Sequence, residues 1–248
     1  MIMDFKITKR EIIASISIIA ILFMIGFSIS GRISEKRLDT LQQYNTALKI
    51  EDTDLFEYAM DTNVGNAFVY GNLTAIDTVS YPDIKGQYMY IEKVTEKYRR
   101  HTRTVTRTKT VNGKTKTYTD TEVYWSWDRV DSEDKVSKEV NFCGITFKSS
   151  IFSLPTAVHI DTVSGGPRVR YKYYGCNVEY TGTIFAKLAD NTISSEHGKI
   201  TFYNNYNIEE TIKALELFNW NILFWIFWII LMGACVFGFY YIDNRWLE

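Results

Sequence analysis

The three cysteines and three histidines of the sequence are of types that could bind a metal ion or act as catalytic nucleophiles or bases. They are Cys143, Cys176, Cys235, His101, His159 and His197. No Cys-x-x-Cys pair occurs among them, and the histidines share no ligand spacing, which indicates a chance scatter rather than a zinc site. The sequence also lacks a Gly-x-Ser-x-Gly motif, a P-loop, a Rossmann fingerprint and a His-Glu-x-x-His motif. We therefore expect that the protein is not an enzyme and that it binds neither a cofactor nor a metal ion.

Two of the cysteines could form a disulfide. Cys143 and Cys176 are the two that lie outside the long apolar runs. A compartment outside the cytosol would favour a bond between them, and two reduced, buried thiols are the alternative. Cys235 lies within an apolar run and is expected to be a small packing residue.

A cluster of acidic residues follows Trp125-Ser126-Trp127. Its members are Asp128, Asp131, Glu133 and Asp134. Closely spaced carboxylates are typical of calcium-binding loops. A solvated turn is the simpler interpretation, and it is the one we favour.

A patch of basic residues is the strongest indication of a binding site in the sequence. Its members are Arg99, Arg100, Arg103, Arg107, Lys109, Lys114 and Lys116. Because the whole chain has a net charge of −1, attraction to an anionic partner must come from such a local patch. Anionic lipid, a cell-wall polymer or an acidic protein would suit it, whereas nucleic acid is disfavoured because few aromatic residues offer base stacking. The structural alternative is a charged hairpin that resists edge-to-edge aggregation.

The basic patch belongs to a predicted β-hairpin. Asn112-Gly113 between two alternating runs is typical of a type I′ turn, which needs positive φ at both positions. The turn sets these residues opposite each other: Thr110 and Thr115, Thr108 and Thr117, Thr106 and Thr119, Thr104 and Thr121, Arg103 and Glu122, Arg107 and Tyr118, Lys109 and Lys116. Neither face is apolar, so the hairpin 99–124 is predicted to project into solvent. The opposed lysines are a mildly destabilising pair.

Two uncharged runs near the ends of the chain predict membrane-spanning helices at 12–31 and 218–241. Each is long enough to cross about 30 Å of hydrocarbon. Aromatic residues typical of membrane interfaces flank the second run: Trp220, Tyr240, Tyr241 and Trp246. We expect the first run to be a retained anchor. A signal peptide cleaved near Ser28-Ile29-Ser30 is the alternative.

Two spans would place both termini on the same side of the membrane. Basic residues lie close to both ends of the first span, so the positive-inside rule nearly ties: Lys6, Lys9 and Arg10 precede it, and Arg32, Lys36 and Arg37 follow it. Long domains translocate with little regard to their charge, and the basic tail 1–11 is typical of a signal anchor. We therefore favour cytosolic termini, the tail 242–248 included, and a domain outside.

The spacing of apolar residues changes along the chain between the two predicted spans. Helical spacing predicts stalks at 32–62 and 206–217, with Asp52 near an N-cap. A period of two predicts a β-rich domain at 63–205. Its candidate strands are 66–73, 75–80, 87–98, 101–111, 114–127, 137–148, 155–163, 168–174, 177–187 and 198–203. The predicted class is an α+β membrane protein, with transmembrane helices and stalks flanking a mainly antiparallel β-sandwich or barrel-like domain.

Two stretches resemble known families. The segment Pro82-Asp-Ile-Lys-Gly86-Gln-Tyr88-Met-Tyr90-Ile-Glu92 resembles GIDE-type modules, in which a Pro and a Gly lead into a Tyr-rich strand ending in Glu. The strand 90–96 and the segment 113–133, GKTKTYTDTEVYWSWDRVDSE, resemble LUMA-type membrane proteins. The resemblance covers about 68–150. It implies a membrane-tethered β-domain with a scaffolding or sensing role. The chain has too few cysteines for the RING finger of some GIDE proteins, and fewer spans than LUMA-type proteins.

Three classes of function compete on this sequence. The leading prediction is a non-catalytic binding, scaffold or sensor protein that presents the basic hairpin at a membrane surface. The second is an oligomeric pore or transport-related protein, and a homo-oligomer would be required for it. The apolar runs contain no charge or polar stripe of the kind that ion pathways use, which disfavours this class. The third is an enzyme, for which no set of residues was found.

Overall fold

The computed structural model describes residues 8–111, 114–195, 198–217 and 219–246 of the chain. Outside them lie the predicted turn Asn112-Gly113, His197, Phe218 and the side chains of Lys114 and Trp246. The chain divides into two compact units. One is helical and comprises Met1–Ala47 and Glu209–Glu248, and the other is β-rich and comprises Leu48–Ile208.

Four α-helices and twelve β-strands are found in the described ranges. The helices are α1 (Lys9–Thr46), α2 (Thr53–Asp61), α3 (Ile208–Leu217) and α4 (Trp220–Trp246). The strands are β1 (Leu48–Ile50), β2 (Gly65–Ala75), β3 (Tyr90–Val111), β4 (Lys114–Val136), β5 (Glu139–Phe142), β6 (Ile145–Lys148), β7 (Phe152–Ser153), β8 (Val158–Gly166), β9 (Val169–Cys176), β10 (Glu179–Ala189), β11 (Thr192–Ser194) and β12 (Ile200–Asn204).

The two uncharged runs lie within the long helices α1 and α4. Helix α1 begins at a capping box, in which the Thr8 hydroxyl accepts from the Glu11 amide and the Glu11 carboxylate accepts from the Thr8 amide. The apolar side chains of both helices are largely exposed; Ile13 is 66% and Ile230 is 67% exposed. By length and composition, the helical segments at both ends of the chain are sufficient to cross a membrane.

Helices α1 and α4 pack against each other at a glycine. The indole of Trp228 lies over Gly26, where a Cβ atom would come within 2.5 Å of Nε1. That nitrogen donates a hydrogen bond to the carbonyl of Leu22 at 3.0 Å. The ring of Trp225 meets Phe27 edge-on, with the ring centroids 5.2 Å apart. A small residue therefore lets a large ring approach the backbone of the other helix, as is common between membrane helices.

Polar side chains also join the two helices. The hydroxyl of Ser30 donates to the Asn221 Oδ1 atom at 2.8 Å, and the Asn221 amide donates to the Ser34 hydroxyl at 2.6 Å. The indole of Trp225 donates to Ser30 at 3.1 Å. The Asn221 amide, which lies in the second uncharged run, is thus hydrogen-bonded to two serines of α1.

Two mainly antiparallel sheets form the β-rich unit. The larger sheet has the strand order β6-β5-β2-β10-β12-β7, with β1 beside β2 and β11 beside β10; the smaller has the order β4-β3-β9-β8. Only two pairings among the described strands are parallel, β1 with β2 and β7 with β12. The α+β class and the predominance of antiparallel pairing are therefore confirmed.

The β-rich unit contains two clusters of buried apolar side chains, a larger core and a smaller core. Phenylalanines fill the larger core, where Phe142 packs edge-on against Phe56 of α2 and against Phe202, at centroid distances of 5.8 and 6.2 Å. Burial of one such side chain stabilises a fold by roughly 1.5–3 kcal/mol. The smaller core surrounds Tyr173, whose hydroxyl donates to Asp83 at 2.8 Å.

Several boundaries differ from the sequence-based prediction. The helical stalk predicted at 32–62 ends at Thr46, because β1 pairs with β2 before α2 begins. Asp52 is nevertheless the N-cap of α2. Of the strand predicted at 75–80, Ala75 ends β2 and the rest forms only an isolated bridge, Val79 to Tyr88. The strand predicted at 137–148 splits into β5 and β6 around Cys143-Gly144, both of which have positive φ and close a two-residue turn.

Candidate functional site

The predicted hairpin is formed by β3 and β4, and its register is confirmed. Lys109 pairs with Lys116, Arg103 with Glu122, and the threonines pair with one another as expected. The strands contain 22 and 23 residues, far more than the common length of about five to six. Val130 is the extra residue at a β-bulge opposite Thr95 and Glu96. We call residues 99–111 and 114–124 the ribbon.

The ribbon extends beyond the part of the smaller sheet in which β3 is paired with β9. Strand β9 pairs with β3 only from Tyr90 to Lys97, and β4 has β3 as its only strand neighbour among the described residues. Most described side chains of the ribbon are exposed on both faces. A lone two-stranded hairpin is at best marginally stable in water, so the base of the ribbon must be fastened.

Aromatic and arginine side chains fasten that base. Tyr98 stacks on Trp125 at 5.4 Å and contacts Trp127 at 5.2 Å. The guanidinium of Arg168 lies 4.7 Å from the Trp125 ring, and that of Arg170 lies 4.2 Å from Trp127. Each cation–π contact is worth about 0.5–1 kcal/mol at an exposed site. The sequence did not reveal these contacts, because Arg168 directly precedes β9 and Arg170 lies in it, about 40 residues farther along the chain than the tryptophans.

Acidic residues of β4 form ion pairs with Arg103 and Arg107, two of the residues predicted to bind an anionic partner. The Arg103 guanidinium donates to Glu122 at 2.8 and 3.0 Å. Arg107 also pairs with Glu122, and its Nε atom lies 3.6 Å from Asp120. The hydrogen bond from Arg103 and the charge of both arginines lower the pKa of the Glu122 carboxyl. The charge of these two arginines is thus partly neutralised within the ribbon.

Two lysines near the tip of the ribbon have no acidic partner among the described residues. Lys109 and Lys116 face each other near the tip and form no ion pair with a described residue. Arg100 is exposed on the threonine face, in register with Trp125, and Arg99 is exposed on the charged face. Lys114 pairs in register with Val111, and its side chain lies outside the described residues. Among the described residues, Lys109 and Lys116 therefore place unpaired positive charge near the tip.

The acidic cluster is part of strand β4, so the predicted turn is wrong. Asp128 accepts from Ser126 at 2.8 Å and lies 2.7 Å from the His101 ring. The hydrogen bond from Ser126 and the contact with His101 lower the pKa of the Asp128 carboxyl. No group of three potential metal ligands occurs among the described residues. The hairpin continues through this segment because its residues pair with β3 beyond the bulge.

Cys143 and Cys176 are free thiols in the structure, so the predicted disulfide is not formed there. The Cys176 thiol donates to the Pro155 carbonyl at 3.0 Å, and Cys143 lies 3.8 Å from the Tyr70 carbonyl. Burial raises the pKa of Cys176 and raises that of Cys143 to about 11. Both thiols therefore behave as packing groups, in line with the alternative of reduced, buried cysteines.

Comparison of the chain with known protein families, with characterised proteins and with solved structures gave no match. The resemblance to GIDE-type and LUMA-type proteins thus has no support beyond the motifs that carry it. The function is therefore inferred from this chain's own residues.

Proposed function

We propose that the chain is a non-catalytic binding or scaffold protein, held in a membrane by α1 and by α4. The exposed apolar surface of both helices supports this, because soluble helices bury such residues. The two spans would leave both termini in the cytosol and the β-rich unit outside. A pore or transport function stays the alternative predicted from the sequence.

The ribbon is the part of the protein that we propose to contact a partner, which would be an anionic surface. Lys109 and Lys116 carry this proposal, because a purely structural hairpin gains nothing from two unpaired lysines placed opposite each other. Phospholipid headgroups are the first candidate, since a protein anchored at both ends meets them at a high effective concentration. A wall polymer or an acidic protein would be recognised by the same charges.

Binding between two membranes would test this function. The full chain, reconstituted in nanodiscs of neutral lipid, would be mixed with vesicles that contain phosphatidylglycerol or only phosphatidylcholine. We expect binding only to the anionic vesicles, and expect it to weaken as the Debye length falls from about 10 Å at 0.1 M salt to about 3 Å at 1 M.

Variants would locate the binding on the ribbon. Each lysine near an anionic surface contributes about 1 kcal/mol, so the double variant K109Q/K116Q should bind roughly 30-fold more weakly. The matched control is K148Q/K187Q, which removes two exposed lysines from the larger sheet. Equal loss in both double variants, or no binding by the wild type to anionic vesicles or to a purified anionic wall polymer, would contradict the proposal.

A further inference from the structure

A cavity of about 390 Å³ opens in the β-rich unit, at the end of the β3–β4 hairpin that is remote from the ribbon tip. Its volume lies within the range of about 300–1,000 Å³ that is typical of small-molecule sites. The lining residues come from both sheets and from the segment around β7. Those that matter here are Tyr90, Asp134, Phe152, Leu154, Cys176 and Lys199.

The cavity wall carries one charge of each sign. Asp134 and Lys199 both line it, yet they form no ion pair with each other or with another described residue. Two opposite charges that share a cavity without meeting leave room for a ligand that carries the complementary charges. A carboxylate attracts an ammonium group and an ammonium attracts a carboxylate, so the two side chains together select a zwitterion over a singly charged molecule.

The rest of the wall suits an apolar body with one or two hydrogen bonds. Phe152 and Cys176 are each 1% exposed and form its apolar part with Leu154. Tyr90 adds a phenol whose pKa is raised by burial and by the neighbouring Glu92 and Asp134 carboxylates, so the hydroxyl stays neutral and can donate. An apolar lining with few polar groups is the usual composition of a ligand pocket.

We propose that this cavity binds a small zwitterion of the amino-acid class, either a free amino acid or a short peptide. Its ammonium group contacts Asp134, its carboxylate contacts Lys199, and its side chain packs on Phe152 and Leu154. The site is independent of the ribbon, and it would give the protein a ligand to sense at the membrane.

Calorimetry on the full chain in neutral nanodiscs tests the proposal. The probes are L-leucine, the dipeptide L-leucyl-L-leucine and N-acetyl-L-leucinamide, which keeps the apolar body but lacks both charges. We expect saturable binding of leucine or of the dipeptide, and the one that binds identifies the source. The neutral analogue should not bind. Equal binding of all three probes, or binding of none, would overturn the proposal.

Variants place the binding in this cavity. Loss of one charge-assisted contact weakens binding by about tenfold or more, so D134N and K199Q should each show at least that loss. The controls are D131N and K187Q, which remove exposed charges that do not line the cavity. Melting curves without ligand confirm that each variant is folded, and the probe comparison on the wild type requires no variant. Unchanged affinity in both D134N and K199Q would also overturn the assignment.

Discussion

The Nη2 atom of Arg10 in α1 donates to both carboxylate oxygens of Asp243 in α4, at 2.8 and 3.0 Å, although 233 positions separate the two residues in the sequence. Near the other end of the helix pair, Asn221 bonds to Ser30 and Ser34. The two helices are therefore antiparallel partners in one register. This arrangement places Arg10 and Asp243 at the same end of the helix pair.

The Gly26 contact is expected to determine how closely the helices pack. In G26A the new Cβ atom would meet the Trp228 indole, and moving the ring would break its hydrogen bond to Leu22. Overpacking of this kind costs about 1–3 kcal/mol. G31A is the matched control, since a Cβ at that helical glycine would meet no atom within 4 Å apart from those of the adjacent residues and of its own helix backbone. Denaturation in detergent, followed by tryptophan fluorescence, should show a loss for G26A alone. Equal stability of the two variants would mean that the helices do not pack here.

Asp77 is expected to make the β-rich unit sensitive to acid. Its carboxylate accepts from the backbone amides of Glu139 and Lys138 and from Ser137, which lowers its pKa from 3.8 to about 2. A lowered folded-state pKa stabilises the fold above the unfolded value, and this stability is lost as the pH falls from about 4 to about 2. The difference in melting temperature between wild type and D77N should therefore shrink over that range.

The control for Asp77 is D61N, which changes an exposed aspartate at the end of α2. Other carboxylates titrate in the same range, so only the difference from the wild type is informative. A wild-type minus D77N difference that stays constant from pH 5 to about pH 2 would show that the hydrogen bonds to Asp77 do not stabilise its ionised form.

The reactivity of the cysteines tests whether Cys143 and Cys176 are buried, free thiols. Because burial raises the pKa of Cys143 and Cys176, little thiolate forms at neutral pH, and both should react slowly with maleimide in the folded protein. After denaturation without a reductant, all three thiols should react, since the structure has Cys143, Cys176 and Cys235 free. A count of one reactive thiol would instead establish the disulfide between Cys143 and Cys176 that the sequence allows.

Glu122 is expected to limit the charge that the ribbon presents. E122Q would release Arg103 and Arg107 from their shared partner, and binding to anionic vesicles should strengthen by roughly fivefold, equivalent to about 1 kcal/mol. D131N changes the net charge equally, but at an exposed position outside the ribbon. An equal gain in both variants would attribute the effect to net charge rather than to the ribbon. No gain for E122Q would exclude these arginines from the contact.

Local signals in the sequence predicted the hairpin register, because a two-residue turn and an alternating pattern fix which side chains face each other. Contacts between distant segments could not be predicted in this way. The pairing of β1 with β2 interrupts a segment with helical spacing, and the stacking of Arg168 on Trp125 depends on a neighbouring strand. The acidic residues after Trp127 have the polarity of a turn but lie in β4, because polarity alone does not distinguish a loop from an exposed edge strand.

Accessibility of two engineered cysteines tests the membrane-anchored arrangement most directly. T108C would place a thiol on the exposed threonine face of the ribbon, and K9C would place one at the start of α1. Cells producing each variant would be treated with a membrane-impermeant maleimide before and after permeabilisation, with the wild type as the background. The membrane-anchored arrangement predicts that T108C reacts in intact cells and that K9C reacts only after permeabilisation. Equal reactivity of the two positions in intact cells would contradict it.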